Sequence, residues 1–296
     1  MKTVYINCDN VNLNPISVTQ ESNNLELLDA LYDTLDSTDV ADTERQLNIP
    51  SHPRREPSLS EHRTNYEVTA KLFVTDPDYS KWNEKTLNDA FECLHRTTSL
   101  GSVDSLIFSF NGLCDDTSDS SDRLDAAARI WKSLTPEFPH TQLGVADFGP
   151  IELDKLIAKI KDTARQPQTT QISLSDCCEP PSELVKTAKQ HDVELTAHPD
   201  IHDILSPAEL AAAFNRNQSH QLDEKTVGID WVLKYTVVAH GRAVIADKGW
   251  IIATDCINRY TRQLVAVDGV PSTRTVGVIE SVNSGHILLI QVEMDV

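Results

Sequence analysis

The spacing of apolar positions changes character along this chain, and each change predicts a different element. From Ser22 to Leu35 the residues Leu25, Leu28, Leu31, Tyr32 and Leu35 recur at helical spacing, which predicts one amphipathic helix. Between Asp36 and Arg63 the periodicity stops. Pro50, Pro53 and Pro57 surround Arg54-Arg55-Glu56 there, and a stretch with so many missing backbone donors is expected to be a linker or long loop. From Glu67 onward short strand-like runs alternate with helical stripes. Strands are predicted at Val68 to Val74, Val103 to Ser109, Gln142 to Ala146, Thr170 to Ser175 and Val193 to His198, and helices at Asn83 to Thr97, Leu124 to Leu134, Ile151 to Lys161 and Ser182 to His191. Such alternation predicts a parallel sheet with crossover helices. A further helix follows Ser206, then the apolar block Trp231 to Ala239. The tail from Trp250 is rich in β-branched residues, with hairpin-type turns at Asp268-Gly269 and Ser284-Gly285.

Composition narrows the class. The 296 residues are 40% hydrophobic and 24% charged, an ordinary globular mix able to bury a sizeable core. Acidic residues outnumber basic ones by 45 to 26, a net charge of −19, and a surface that negative repels phosphate backbones and anionic lipid. Nucleic acid and membrane partners are therefore not expected. The opening residues Met1 to Cys8 lack the apolar core of a signal peptide, and a cytoplasmic location is expected. Six cysteines without C-x-x-C spacing suit reduced thiols better than a disulfide framework or a zinc site.

Motifs for common chemistries are missing: no G-x-S-x-G, P-loop, H-E-x-x-H or G-x-G-x-x-G occurs. The run His198-Pro199-Asp200-Ile201-His202-Asp203 carries metal-capable side chains, but Pro199 interrupts the helix that would align both imidazoles, so a loop with polar caps is expected rather than a metal site. Acidic residues and hydroxyls crowd Asp115 to Asp122, which reads as a solvated loop. Cys177-Cys178 precedes Pro180-Pro181. Neighbours on an extended chain face opposite ways, so one thiol can face a partner; the pair is either a redox or partner contact, or one buried small side chain beside an incidental one. Trp231, Val232, Tyr235, Trp250 and Ile251 suit either the apolar centre of an interface or the core.

Two resemblances follow from these residues. Val68-Thr69-Ala70-Lys71-Leu72-Phe73, Val103 to Phe108, Leu143-Gly144-Val145-Ala146-Asp147-Phe148 and Gln171-Ile172 resemble, in order and content, the βα units of the aldo-keto reductase barrel. Gln171 to Pro181, Ala188 to Val193, Leu195 to His198, Trp231 to Tyr235 and Lys248 to Ile252 resemble the regulatory (modifier) subunits of glutamate–cysteine ligase, with the double cysteine before a double proline as the most specific element. The resemblance implies an α/β fold of (β/α)8 barrel type. The expected organisation is an irregular N-terminal segment over 1–66, the barrel core over 67–253 and a β-rich extension over 254–296.

It further implies a non-catalytic partner of the catalytic ligase subunit, forming a heterodimer, with no cofactor and no metal. The alternative is an NADPH-dependent oxidoreductase with a degenerate site. Reductase chemistry as the resemblance supplies it needs a Tyr acid with Lys, Asp and His. Lys71 fills the Lys position, Ser109 stands at the His position, and Asp147 replaces an Asn that contacts nicotinamide, while Gln171 is retained. Serine has no titratable group to polarise a carbonyl at neutral pH. Lys71, Ser109, Asp147 and Gln171 are thus expected to mark a vestigial pocket, with Lys71 held by packing or by a carboxylate such as Asp104 or Asp147.

Overall fold

The computed structural model describes residues 3–8, 11, 23–37, 48–49, 59, 62–76, 78–81, 84–99, 101–110, 113, 120–173, 180–201, 203–216, 223–241 and 244–254. Its framework is a mixed sheet of strands β1 (Val4–Cys8), β2 (Asn48–Ile49), β3 (Tyr66–Val74), β4 (Ser105–Phe110), β5 (Gln142–Ala146), β6 (Thr169–Ser173), β7 (Glu194–His198), β8 (Ile229–Ala239) and β9 (Val244–Thr254). Their order across the sheet is β2-β1-β9-β8-β3-β4-β5-β6-β7. Strands β3 to β7 are all parallel. The long hairpin β8–β9 runs antiparallel beside β3, and β1 joins the far side of β9. The helices are α1 (Asn23–Asp36), α2 (Glu84–Thr98), α3 (Ser120–Glu137), α4 (Pro150–Ile160), α5 (Ser182–Gln190) and α6 (Pro207–Asn215).

The predicted α/β alternation is present, with each expected strand and helix of the 67–215 region displaced by a few residues at most from its observed bounds. The arrangement differs from the closed, all-parallel eightfold barrel that the resemblance implied. Among the described residues the sheet is mixed and its hydrogen-bonded order has two ends, β2 and β7. The reason lies in the hairpin: β8 reverses against β3 at the place where a parallel barrel strand would lie, register Lys71 opposite Lys234. The double-cysteine segment, the acidic run over 115–119 and everything after Thr254 lie outside the described residues.

Period-two patterning gives the sheet two different faces. Val68, Ala70, Leu72 and Val74 of β3, Leu106, Phe108 and Phe110 of β4, and Leu143 and Val145 of β5 bury into one cluster with Leu87, Leu94, Trp131, Leu153 and Leu184 from α2 to α5. Trp231, Tyr235 and Ile251 share that cluster. All five residues of the suggested apolar patch are at most 1% exposed, so they are core and the interface alternative falls. The other face carries Phe73, Val232, Trp250 and Ile252, packed under Leu27 and Leu31 of α1 and Leu210 and Ala211 of α6.

Helix α1 turns on a slightly different stripe from the one its leucines suggest. Leu27, Ala30, Leu31 and Thr34 are buried, whereas Leu25 is 40% exposed. Thr34 is tolerated inside because its hydroxyl donates to the Ala30 carbonyl one turn back. At α6 the Ser206 hydroxyl accepts from the Glu209 backbone N–H and the Glu209 carboxylate accepts from Ser206 N–H, a reciprocal cap that starts the helix where the sequence placed it.

Gly144 sits on the second face with no room for a side chain. A Cβ there would lie 2.6 Å from Ile107 Cδ1 and 2.8 Å from the Thr169 carbonyl oxygen, which cannot rotate away. Gly144→Ala is expected to lower unfolding stability by about 1–3 kcal/mol in urea. Gly101→Ala, with nothing within 4 Å of its added carbon, should change it by less than about 0.5 kcal/mol.

Candidate functional site

Charged side chains gather on the second face at the C-terminal ends of the parallel strands. Lys71 on β3 projects one residue pair before Phe73, and Lys234 stands directly across from it on β8. Asp200 enters from the loop after β7 and bridges them: Lys71 Nζ donates to Oδ2 at 3.0 Å and Lys234 Nζ to Oδ1 at 2.6 Å. Strands β3 and β7 are four steps apart, about 19 Å in a flat sheet at ~4.8 Å per step. The 3.0 Å contact therefore requires a strongly curled sheet whose second face is concave.

A second carboxylate organises the rest. Asp147, the residue after β5, accepts from the Ser109 hydroxyl at 3.0 Å and lies 2.9 Å from His198 Nε2. The Asp200 backbone N–H points at His198 Nδ1 at 3.2 Å; Nδ1 is then the acceptor, and Nε2 carries the proton it donates to Asp147. Asp147 adopts φ of 63°, a left-handed conformation uncommon outside Gly, Asn and Asp, and its N–H donates to the Gln171 carbonyl. Two aromatic rings complete the enclosure, Phe73 4.9 Å from Lys71 Nζ and Trp250 5.1 Å from Lys234 Nζ. Lys71, Ser109, Asp147, His198 and Asp200 are all buried.

Electrostatics follow from that burial. Loss of hydration pushes the Lys71 ammonium below its usual 10.5, and Asp200 and Asp147 only partly offset it. For Asp200 burial alone would raise the carboxyl, but Lys71 and Lys234 outweigh it and hold it below 3.8.

Of the sequence candidates, Lys71, Ser109 and Asp147 converge. Gln171 shares their face through its register opposite Ala146, and its backbone, not its amide, is what meets Asp147. The partner of Lys71 is neither suggested carboxylate in the main role: Asp147 acts on it only through space, and Asp104 is taken by Arg63 and the Val68 N–H. Cys177 and Cys178 lie outside the described residues.

Sequence reasoning weighed His198 and Asp200 only as metal ligands, set them aside as a loop with polar caps, and missed Lys234. The signals were a His-Pro-Asp run at a strand's C-terminal end, where barrel-type sheets gather function, and one lysine inside an otherwise apolar strand. No group of metal-ligating side chains suited to an ion occurs among the described residues. Tyr5 and Tyr235, the tyrosines whose hydroxyl partners are defined, bond Asp89 and Asp247. Burial and then Asp89 raise the Tyr5 hydroxyl, the opposite of what a proton donor near neutrality needs.

An α/β chain whose buried strand-end charges are paired with one another is the class these features define. Comparison with known proteins gives the nearer relationship. The chain is 28% identical over 255 residues to a glutamate–cysteine ligase regulatory subunit of Schizosaccharomyces pombe, covering 77% of this chain and 87% of that protein. It is 26% identical over 194 residues to the glutamate–cysteine ligase regulatory subunits of Homo sapiens and Rattus norvegicus, covering 65% of this chain and 67% of each. No family model matches, and no solved structure matches. The chain is thus a relative of curated glutamate–cysteine ligase regulatory subunits. None of the helices among the described residues is long and apolar enough to cross a membrane.

The cluster makes stability depend on pH with one sign throughout. A depressed carboxyl means the unfolded state binds more protons below 3.8, so the Asp200 contribution is complete above that value and is lost as pH falls through the folded one. A depressed ammonium likewise leaves the unfolded state more protonated, so between the lowered Lys71 value and 10.5 stability rises with pH. Urea midpoints should rise with pH from about pH 2 to about pH 4, and Asp200→Asn should flatten part of that slope. At neutral pH the same variant, which leaves two lysines without their carboxylate, should lose about 3–5 kcal/mol.

Proposed function

We propose that the chain is the non-catalytic regulatory subunit of a glutamate–cysteine ligase, and that it binds the catalytic subunit as a heterodimer in the cytoplasm. The observation that carries this reading is the similarity to curated regulatory subunits across 65–77% of the chain. On this reading it increases the ligase's effective glutamate affinity and relieves feedback inhibition by glutathione. A subunit without reacting groups acts only by binding two conformations of its partner unequally.

The cluster supports the absence of intrinsic hydride transfer. Lys71 is neutralised by Asp200, Ser109 donates to Asp147, and the imidazole that does arrive, His198, is held between Asp147 and the Asp200 backbone. The finer reading of the fold is that it derives from an aldo-keto reductase barrel, and the strand stagger favours it. Following the register, Lys71 stands opposite Ile107, then Gly144, Thr169 and Glu194, yet the residue that reaches the cluster from β7 is His198. That is 198 − 194, or four residues over four strand steps, the stagger of one residue per strand that an eight-stranded barrel of shear 8 uses.

Convergence of a lysine, an imidazole and two carboxylates keeps the degenerate NADPH-dependent reductase as the second reading. Fluorescence titration with NADPH followed by aldehydes separates the two: saturable oxidation that disappears in Lys71→Met would establish the reductase and overturn the first reading.

Initial rates of the matching catalytic subunit, with and without this chain, test the main proposal. A several-fold fall in apparent glutamate KM and a rise in the glutathione inhibition constant are expected, a coupling of about 1 kcal/mol. Unchanged curves despite stoichiometric association would leave a scaffold only. Cys177 and Cys178 are proposed as a redox-sensitive contact; the Cys177→Ser/Cys178→Ser variant should still associate in reducing buffer and should lose any reductant-sensitive gain in affinity.

A further inference from the structure

Lys71 and Lys234 are cross-strand neighbours on one face, a placement of like charges that is unfavourable unless an anion lies between them. What lies between them is not part of either strand. The Asp200 carboxylate is delivered across the concavity by the short loop that follows β7, with one oxygen on each ammonium. The loop is held independently of those two bonds, by its backbone N–H on His198 Nδ1 and by Ile204 and Leu205 buried beneath α1 and α6. The lysines are held independently too, by their strands and by the rings of Phe73 and Trp250. Both halves of the contact are therefore built without it.

We propose that the Lys71–Lys234 pair is an anion-binding site that the chain occupies with its own carboxylate, Asp200 standing in for a small carboxylate ligand and closing the concave face to anions from solution. Among the described residues, Lys71 and Lys234 bind the carboxylate, His198 Nδ1 lies 3.5 Å from its Oδ2, and Asp147 flanks it while engaged by His198 and Ser109. A site of this kind accepts a carboxylate of matched size once the tethered one is removed. Glycine at position 200 leaves space for acetate, the severed side chain; alanine leaves space for formate.

Thermal unfolding of the full-length chain tests this, with acetate and formate as probes and chloride at matched ionic strength as control. Asp200→Gly should melt below the native chain in chloride and recover progressively as acetate rises from about 1 to about 100 mM, as expected for a ligand that binds only the folded state. Asp200→Ala should respond more to formate than to acetate. The native chain should respond to neither beyond the chloride control, and Lys71→Met/Asp200→Gly should lose the response. If Asp200→Gly does not fold in chloride, its refolding yield with acetate is the readout, and Asp200→Ala with formate is the parallel case. Equal responses in native and variant chains, or no response in either single variant by melting or by yield, would overturn the proposal.

Discussion

One carboxylate touching two lysines joins the loop after β7 to β3 and β8. Without Asp200, two ammonium groups would face each other across adjacent strands with no anion between them. The contact is possible only in a curled sheet, in which the loop after the last parallel strand lies over the first one. The buried His198 and Asp147 lie beside it on the same concave face. Ion pairs of this kind add little net stability over an apolar replacement, but losing one member is costly. Asp200 is thus better understood as fixing geometry than as supplying energy.

The two faces of the sheet divide the labour accordingly. The convex side is ordinary α/β packing, aliphatic strands under four amphipathic helices, and it would serve many functions equally well. On the concave side, apolar contacts with α1 and α6 fill one half and paired charges fill the other. Ion pairs and hydrogen bonds within the chain engage those groups.

The convex half was legible in the sequence because strand and helix periods write themselves directly into apolar spacing. Gln142–Ala146 and Pro150–Ile160 follow from a run of five residues and a proline at the first helical position. The resemblance to the reductase strands then located Lys71, Ser109 and Asp147 on one surface. What could not be read was closure. Asp200 is 129 residues from Lys71, and no local pattern encodes a contact made only because four strands stagger and bend. Proline at 199 argued correctly against a helix, and the residue after it is the one that turns inward to the lysines. Lys234 was hidden for the opposite reason: inside Trp231 to Tyr235 it looked like a tolerated exception in a core strand, when it is the second arm of the clasp. The hairpin's reversal against β3 was equally invisible, since parallel and antiparallel neighbours share the same period.

The placement of β1 has a consequence for synthesis on the ribosome. Its five residues pair with the last five of β9, Val4 opposite Thr254 through Cys8 opposite Trp250. At about 5–20 residues per second, the stretch between Cys8 and Trp250 takes on the order of 10 to 50 seconds to emerge. Throughout that interval Val4, Ile6, Leu27 and Leu31 lack the β9 side chains they pack with. Their apolar surface stays uncovered on that side until β9 emerges, and the β1 edge that β9 later pairs is open to mispairing in the meantime.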